Sequence, residues 1–133
     1  MKVGAQIYVR GSIEAVEFYK EAFNASLGFY EYFADGTPED GYQHASIMVR
    51  DTEILALCEN ECYTSNVVGH PVMQFNCSLG TKEAVLQAYK VLSKEAIKNE
   101  NPNGPVAVPW DESEQYFSII DKYNIWWGIG ISL

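Results

Sequence analysis

Basic residues are scarce: nine Lys and Arg stand against 18 Asp and Glu, which leaves a formal net charge of -9 over 133 residues. A protein that neutralises nucleic-acid phosphates needs clustered Lys or Arg. The nearest approach is Lys90, Lys94 and Lys98, whose four-residue spacing fits one solvated helix face. Nucleic-acid binding is therefore not expected. The deficit is uneven, with 11 acidic and 4 basic residues over 1–66 against 7 and 5 over 67–133, and neither half is basic.

Long apolar runs are also missing. Met1 to Gln6 carries one charged side chain and no apolar stretch, so it reads as neither a signal peptide nor a membrane anchor. The expectation is a cytoplasmic protein with no membrane partner. Cysteine is sparse and odd in number: Cys58, Cys62 and Cys77 cannot all pair within one chain, and thiols stay reduced in that compartment. The Cys58-x-x-x-Cys62 spacing lacks the second Cys or His pair of a zinc site, so ordinary thiols are the better reading. There is no G-x-S-x-G elbow, no phosphate-cradling glycine loop and no H-E-x-x-H helix. Gly128-Ile129-Gly130 lies in the last expected strand with no helix to follow, and Glu39-Asp40 and Asp111-Glu112 with Glu114 read as solvated loop acids.

What the chain does have is a globular composition, 47% hydrophobic and 20% charged, in a length that suits one domain. A chain of this size buries roughly two thirds of the surface its unfolded form exposes. Aromatics reach 14%, with nine Tyr and three Trp, which suits pocket walls and dimer seams as well as cores.

One local pattern occurs twice. Ser12-Ile13-Glu14-Ala15-Val16 returns 69 residues later as Thr81-Lys82-Glu83-Ala84-Val85. In each, a hydroxyl side chain is placed to accept first-turn N–H groups, and a Glu suits the positive end of the helix dipole. Apolar residues then follow at three- and four-residue spacing, Ala15, Val16, Tyr19, Ala22 and Phe23 in the first and Val85, Ala88, Tyr89 and Leu92 in the second. A strand precedes each helix: Val3, Ala5, Ile7 and Val9 alternate with polar or small residues, and Val72–Ser78 is a short apolar-rich run. Strands are expected after the first helix at Ser26–Phe33, Tyr42–Arg50 and Glu53–Glu59. After the second they are expected at Pro105–Val108, Gln115–Asp121 and Ile125–Ser132, with Asn99–Pro109 read mostly as loop. The order βαβββ-βαβββ results: an α+β domain over 1–133 made of two modules, 1–61 and 70–133, joined near residues 60–71.

The string Ile13 to Phe23 (IEAVEFYKEAF), then His44-Ala45 opening a strand, then Asp121 to Trp127 (DKYNIWW), resembles the PhnB-like branch of the vicinal oxygen chelate superfamily, which includes glyoxalase I, bleomycin-resistance proteins and extradiol dioxygenases. The resemblance spans Val3 to Leu133. It implies paired βαβββ modules forming a curled mixed sheet around a cavity, usually in a homodimer. It also implies a divalent metal held by His and Glu side chains, one from each of four strands. Registered on this sequence, those four positions fall near Gly4, on Leu55 or Leu57, near Met73 and near Gly128, none of which supplies a donor. No metal and no other cofactor is therefore expected at the usual site.

His44 and His70 are the only imidazoles and so the only candidates for acid-base chemistry near neutral pH. The resemblance places His44 at the pocket, while His70, before Pro71, falls in the joining segment. Two readings follow. The first is a non-enzymatic protein that binds a small molecule in a partly apolar cavity, with Gln6, Tyr8, His44, Met48, Leu57, Met73, Phe75 and Trp126 as pocket residues. The alternative is a metal-dependent lyase, isomerase or dioxygenase with a site rearranged around His44, sharing a metal with His70 and Glu31 or Glu59. No catalytic residue can be chosen from spacing.

Overall fold

A computed structural model describes residues 1–60 and 68–133, with side chains at all of these except 111–114. Cys62 lies outside the described residues. The chain divides into two compact units, Met1–Thr64 and Ser65–Leu133.

The first unit runs β1 (Gln6–Val9), α1 (Ser12–Phe23), β2 (Ser26–Tyr32), a 3-10 turn at Pro38–Asp40, β3 (Tyr42–Val49) and β4 (Thr52–Glu59). Its four strands form a sheet in the order β1-β4-β3-β2, with β1 parallel to β4 and the other neighbours antiparallel. Helix α1 packs on β3 and β4. Its helical spacing brings Ala15, Val16, Tyr19 and Ala22 to one buried face. The sheet answers with residues of one parity: Ile7 pairs with Leu57, Leu57 with Ala45, and Leu55 with Ile47, all buried.

The start of α1 differs from expectation. Gly11, at φ 77, occupies the N-cap, and Ser12 does not cap through its side chain. The carboxylate of Glu59, at the end of β4, does so instead, accepting from Ser12 N at 2.8 Å, Ser12 Oγ at 2.9 Å and Gly11 N at 3.0 Å. An anion at this place meets both the free N–H groups and the helix dipole. The Ser12 hydroxyl is thereby free to accept from Tyr42 N at 2.8 Å, which ties the start of β3 to the same point. Gly41 makes the approach possible: at φ +86, a Cβ there would lie 2.3 Å from Glu59 Oε1.

The second unit runs β5 (Gln74–Ser78), α2 (Lys82–Leu92), β6 (Lys98–Asn99), β7 (Val106–Val108), β8 (Asp111–Ile120) and β9 (Trp126–Gly130). Its five-stranded sheet has the order β5-β9-β8-β6, with β7 also pairing β8. As in the first unit, the strand before the helix lies parallel to the last strand, here β5 beside β9. Thr81 caps α2 as expected, its side chain accepting from Ala84 N at 3.1 Å. The helix ends at Leu92, so Lys90, Lys94 and Lys98 do not share one face: Lys98 sits on β6, 3.3 Å from Glu100.

The two-residue strand β6 was not expected, because asparagines rarely mark strands. Here they extend the ladder with side chains: Asn101 Oδ1 accepts from Ser118 N at 2.8 Å, and Asn99 Oδ1 from Asn101 N at 2.8 Å. The α+β class and paired modules stand, and each module builds a mixed sheet of its own. No helix among the described residues is long and apolar enough to cross a membrane.

Candidate functional site

Each sheet has one face under its helix and one face turned away from it. Strand parity decides which side chains the far face carries. In the first sheet, Gln6 and Tyr8 lie there, with Gln6 Nε2 donating to Tyr8 Oη at 3.0 Å. Gln6 pairs with Ala56, and Ala56 with Ser46, which puts two small residues at the middle of the face. Beside them, Met48 reaches across the bare Cα of Gly28, where a Cβ would come within 2.6 Å of its Cγ. His44 lies on the same face, cross-strand from Glu31 and 5.9 Å from the ring of Phe29. Its Nε2 is 3.3 Å from Ser46 Oγ, and Ser46 Oγ in turn donates to the Glu53 carboxylate.

Leu57 does not belong to this face. It is fully buried on the side of α1, paired with Ile7. The sequence offers no parity there, since Ile54 to Cys58 is apolar throughout, and the parallel pairing with β1 sets the orientation.

In the second sheet the far face is more polar. Gln74 pairs with Trp126 and Asn76 with Gly128, while Ser118 lies opposite Gly128 on β8. The Trp126 indole N–H donates to Ser118 Oγ at 2.9 Å, and Gln74 Nε2 donates to the same oxygen at 3.4 Å. Gly128 is the centre of the cluster. A Cβ there would lie 2.7 Å from Asn76 Oδ1, 2.8 Å from Gln74 Nε2 and 2.9 Å from Tyr116 Oη. Ser118 and Trp126 continue into a cavity of about 240 Å³, further lined by Gly69, His70, Lys98 and Glu100. That volume is just below the range of about 300–1,000 Å³ usual for drug-sized ligands, so it suits a smaller molecule.

Two residues expected at the pocket are elsewhere. Phe75 faces α2's side of the sheet, its ring 5.3 Å from that of the buried Trp127. Met73 precedes β5 and is 61% exposed. Trp110 is likewise exposed. The signal for the true far-face residues was present in the alternation of Gln74, Asn76 and Ser78 with Phe75 and Cys77, which marks the polar set as the side away from the core. His70 lines the cavity although its sequence position suggested only a joining segment.

The DKYNIWW string proves to be a turn. Asp121, fully buried, accepts through Oδ1 from Tyr123 N at 2.8 Å and Ile125 N at 3.1 Å, and through Oδ2 from the Trp127 indole at 2.9 Å. Asn124 takes the left-handed position at φ 65 and accepts from Gly69 N at 2.8 Å. This one segment therefore sets Trp127 into the core and Trp126 onto the far face.

The fit of a divalent metal is decided by donor chemistry. On the four strands that would supply ligands, the far-face positions are Gln6 on β1, Ala56 on β4, Gln74 or Asn76 on β5 and Gly128 on β9. These replace the registration on Gly4, Leu55 or Leu57, and Met73. Two amides, a methyl group and a bare Cα do not make a His and carboxylate shell. Among the described residues no group of three or more His, Cys, Asp or Glu is placed to hold a metal. Glu59, considered above as a ligand, is committed to the start of α1. Both described cysteines are free thiols. Burial pushes Cys77 up to about 11, and burial followed by the nearby Glu59 charge raises Cys58, so neither is an activated nucleophile.

No family model and no curated protein matches the chain. Solved structures do. Protein PA1353 of Pseudomonas aeruginosa aligns with a TM-score of 0.70 at 15% identity, covering 98% of this chain and 96% of its own. The PhnB protein of Bacillus cereus gives 0.68 at 19% identity over 97% and 98%. The fosfomycin resistance protein FosX of Listeria monocytogenes, solved with manganese(II) and sulfate, gives 0.62 at 9% identity over 100% and 90%. At these identities the likeness is one of fold alone: the chain shares its paired-module α+β fold with these solved structures, among them a PhnB protein and a possible glyoxalase of Bacillus cereus.

Proposed function

We propose that the protein binds a small organic molecule on the far face of its second sheet without the divalent metal that the fold can carry. One observation carries this reading: Gln74, Asn76, Tyr116 and Ser118 gather their polar groups around Gly128 and open past Trp126 into a cavity of about 240 Å³. Amide and hydroxyl groups offer both donors and acceptors, so they orient a polar ligand by hydrogen bonds while the indole supplies an apolar wall. The far-face residues Gln6, Tyr8, His44 and Met48 give the first sheet a similar mixed character. The net charge of -9 favours a neutral or cationic ligand over a phosphorylated one. The setting is a homodimer in the cytoplasm, the first part of which light scattering would check.

The experiment is a thermal-shift screen of small metabolites on protein purified without a histidine tag, repeated on Gly128→Ala and followed by calorimetry of hits. The expected result is at least one ligand that stabilises the native protein, loses about tenfold or more in affinity with Gly128→Ala, and binds equally well in the presence of a chelator. Stoichiometric Ni, Zn, Mn or Fe that is lost with His44→Ala would overturn the reading in favour of a metalloenzyme.

A further inference from the structure

The far face of the first sheet contains a chain of three polar side chains whose proton positions follow from valence. Ser46 is 5% exposed and has one hydroxyl proton. That proton is directed to Glu53, because an ionised carboxylate only accepts. Toward His44 the Ser46 oxygen can therefore act only as an acceptor, and the imidazole nitrogen at 3.3 Å, Nε2, must be the protonated one. Neutral His44 then carries its lone pair on Nδ1. No described residue bonds that atom, and since no polar side-chain atom is left buried without a partner, Nδ1 faces solvent. The ring is half-buried, with Phe29, 66% exposed, tilted against it at 5.9 Å. The titratable groups around it are Glu31, cross-strand on β2, Glu53 on β4 through Ser46, and Cys58, which the β3–β4 register brings opposite His44 on β4.

The geometry points to His44 as the proton-accepting contact of this face: the Glu53–Ser46 pair fixes Nε2 as donor, so that Nδ1 takes an N–H or O–H from a small flat ligand whose apolar body rests on Phe29. A carboxylate that orients a histidine through its far nitrogen is a general way to fix its tautomer and ring orientation. Here a serine hydroxyl relays that orientation across two strands. His44 is thus a binding residue, and Ser46 and Glu53 are positioning residues. The inference concerns the first unit alone and does not rest on the ligand reading of the second sheet.

Two measurements test it on the intact protein. Long-range nitrogen–proton spectra of the imidazoles, taken in alkaline buffer where histidine is neutral, should show His44 with its proton on Nε2. Ser46→Ala and, independently, Glu53→Ala should shift His44 toward a mixture of tautomers while the dispersion of the core amides is retained. Either substitution leaves the helix-side core untouched, and two variants guard against one failing to fold. Phenol and anisole, alike in shape but differing in the O–H donor, are then titrated against the His44 and Phe29 resonances. Phenol should bind about fivefold or more tightly than anisole, and the difference should vanish in His44→Ala. A proton on Nδ1 in the wild-type protein would overturn the assignment. So would a tautomer unchanged in both positioning variants, or equal or absent binding of the two probes. A failed Gly128→Ala experiment would leave it standing.

Discussion

Asp121 and Cys77 show how far single side chains in the second unit are committed to structure rather than chemistry. Asp121 is a fully buried carboxylate that satisfies two backbone N–H groups and the Trp127 indole. Asp121→Ala strands three donors, and the expected cost is about 3 kcal/mol in urea denaturation. Asp121→Asn keeps an acceptor at Oδ1 and should cost less than half of that. For Cys77 the sign follows from burial, which disfavours the thiolate and raises the folded value to about 11. Its contribution is therefore complete below the unfolded thiol value of about 8.5 and is lost as pH rises toward the folded one, a loss of about 3 kcal/mol across that window. Comparing wild type with Cys77→Ala by denaturation at successive pH values isolates this slope, since other alkaline titrations are shared. At this scale His44 was legible as an imidazole opening a strand, but its partners were not. Ser46 and Glu53 are seven residues apart, and a register shift between Ile47 and Met48 brings them together. Leu57 and Phe75 illustrate the complementary failure, in which an apolar residue was assigned to a pocket because composition alone does not say which face of a strand it occupies.

The two helices were legible as elements because helical spacing, a hydroxyl residue and an early Glu coincide at each start. Their caps nevertheless differ. Thr81 uses its own side chain, a purely local device, whereas α1 borrows Glu59 from a strand 47 residues on. No local rule reveals the second arrangement, and Gly41 makes sense only once it is known. The energetic expectations separate accordingly. Thr81→Ala should cost about 1 kcal/mol. Glu59→Ala removes an anion from the helix N-terminus and leaves Gly11 N, Ser12 N and the Ser12 hydroxyl without their acceptor, so about 2 kcal/mol or more is expected. Glu59→Gln retains one acceptor and should recover about half. Chemical denaturation of the three variants measures these differences, and equal losses for Thr81→Ala and Glu59→Ala would show that the long-range cap adds nothing. The short strands were the least legible elements. Strand β6 depends on Asn99 and Asn101 side chains that imitate a ladder, and Val106–Val108 is held by pairing with β8 rather than by its own pattern.

For the whole molecule the dominant quantity is charge. Eighteen acidic against nine basic side chains give -9, and the ion pairs among the described residues do little to offset it. Lys20 with Glu17, Lys98 with Glu100 and Lys122 with Glu95 all lie at the surface, where such pairs contribute about 0–1 kcal/mol each. The acidic excess falls mainly within 1–66, so repulsion is concentrated rather than spread. Screening acts on both terms, weakening the few attractions and the many repulsions, and the imbalance in number decides the sign. At about 0.15 M salt the Debye length drops to about 8 Å, short enough to quench repulsion between acids on different strands while leaving the half-buried bonds of Glu59 and Ser46 intact. The melting temperature should therefore rise as sodium chloride is raised from a few millimolar to physiological strength, with most of the gain at the low end. Replacing chloride with sulfate at matched ionic strength separates screening from the general stabilisation that excluded salts confer. A melting temperature that falls over the first increment of salt would mean that attractive pairs outweigh the acidic excess, and the charge argument for neutral or cationic ligands would fall with it.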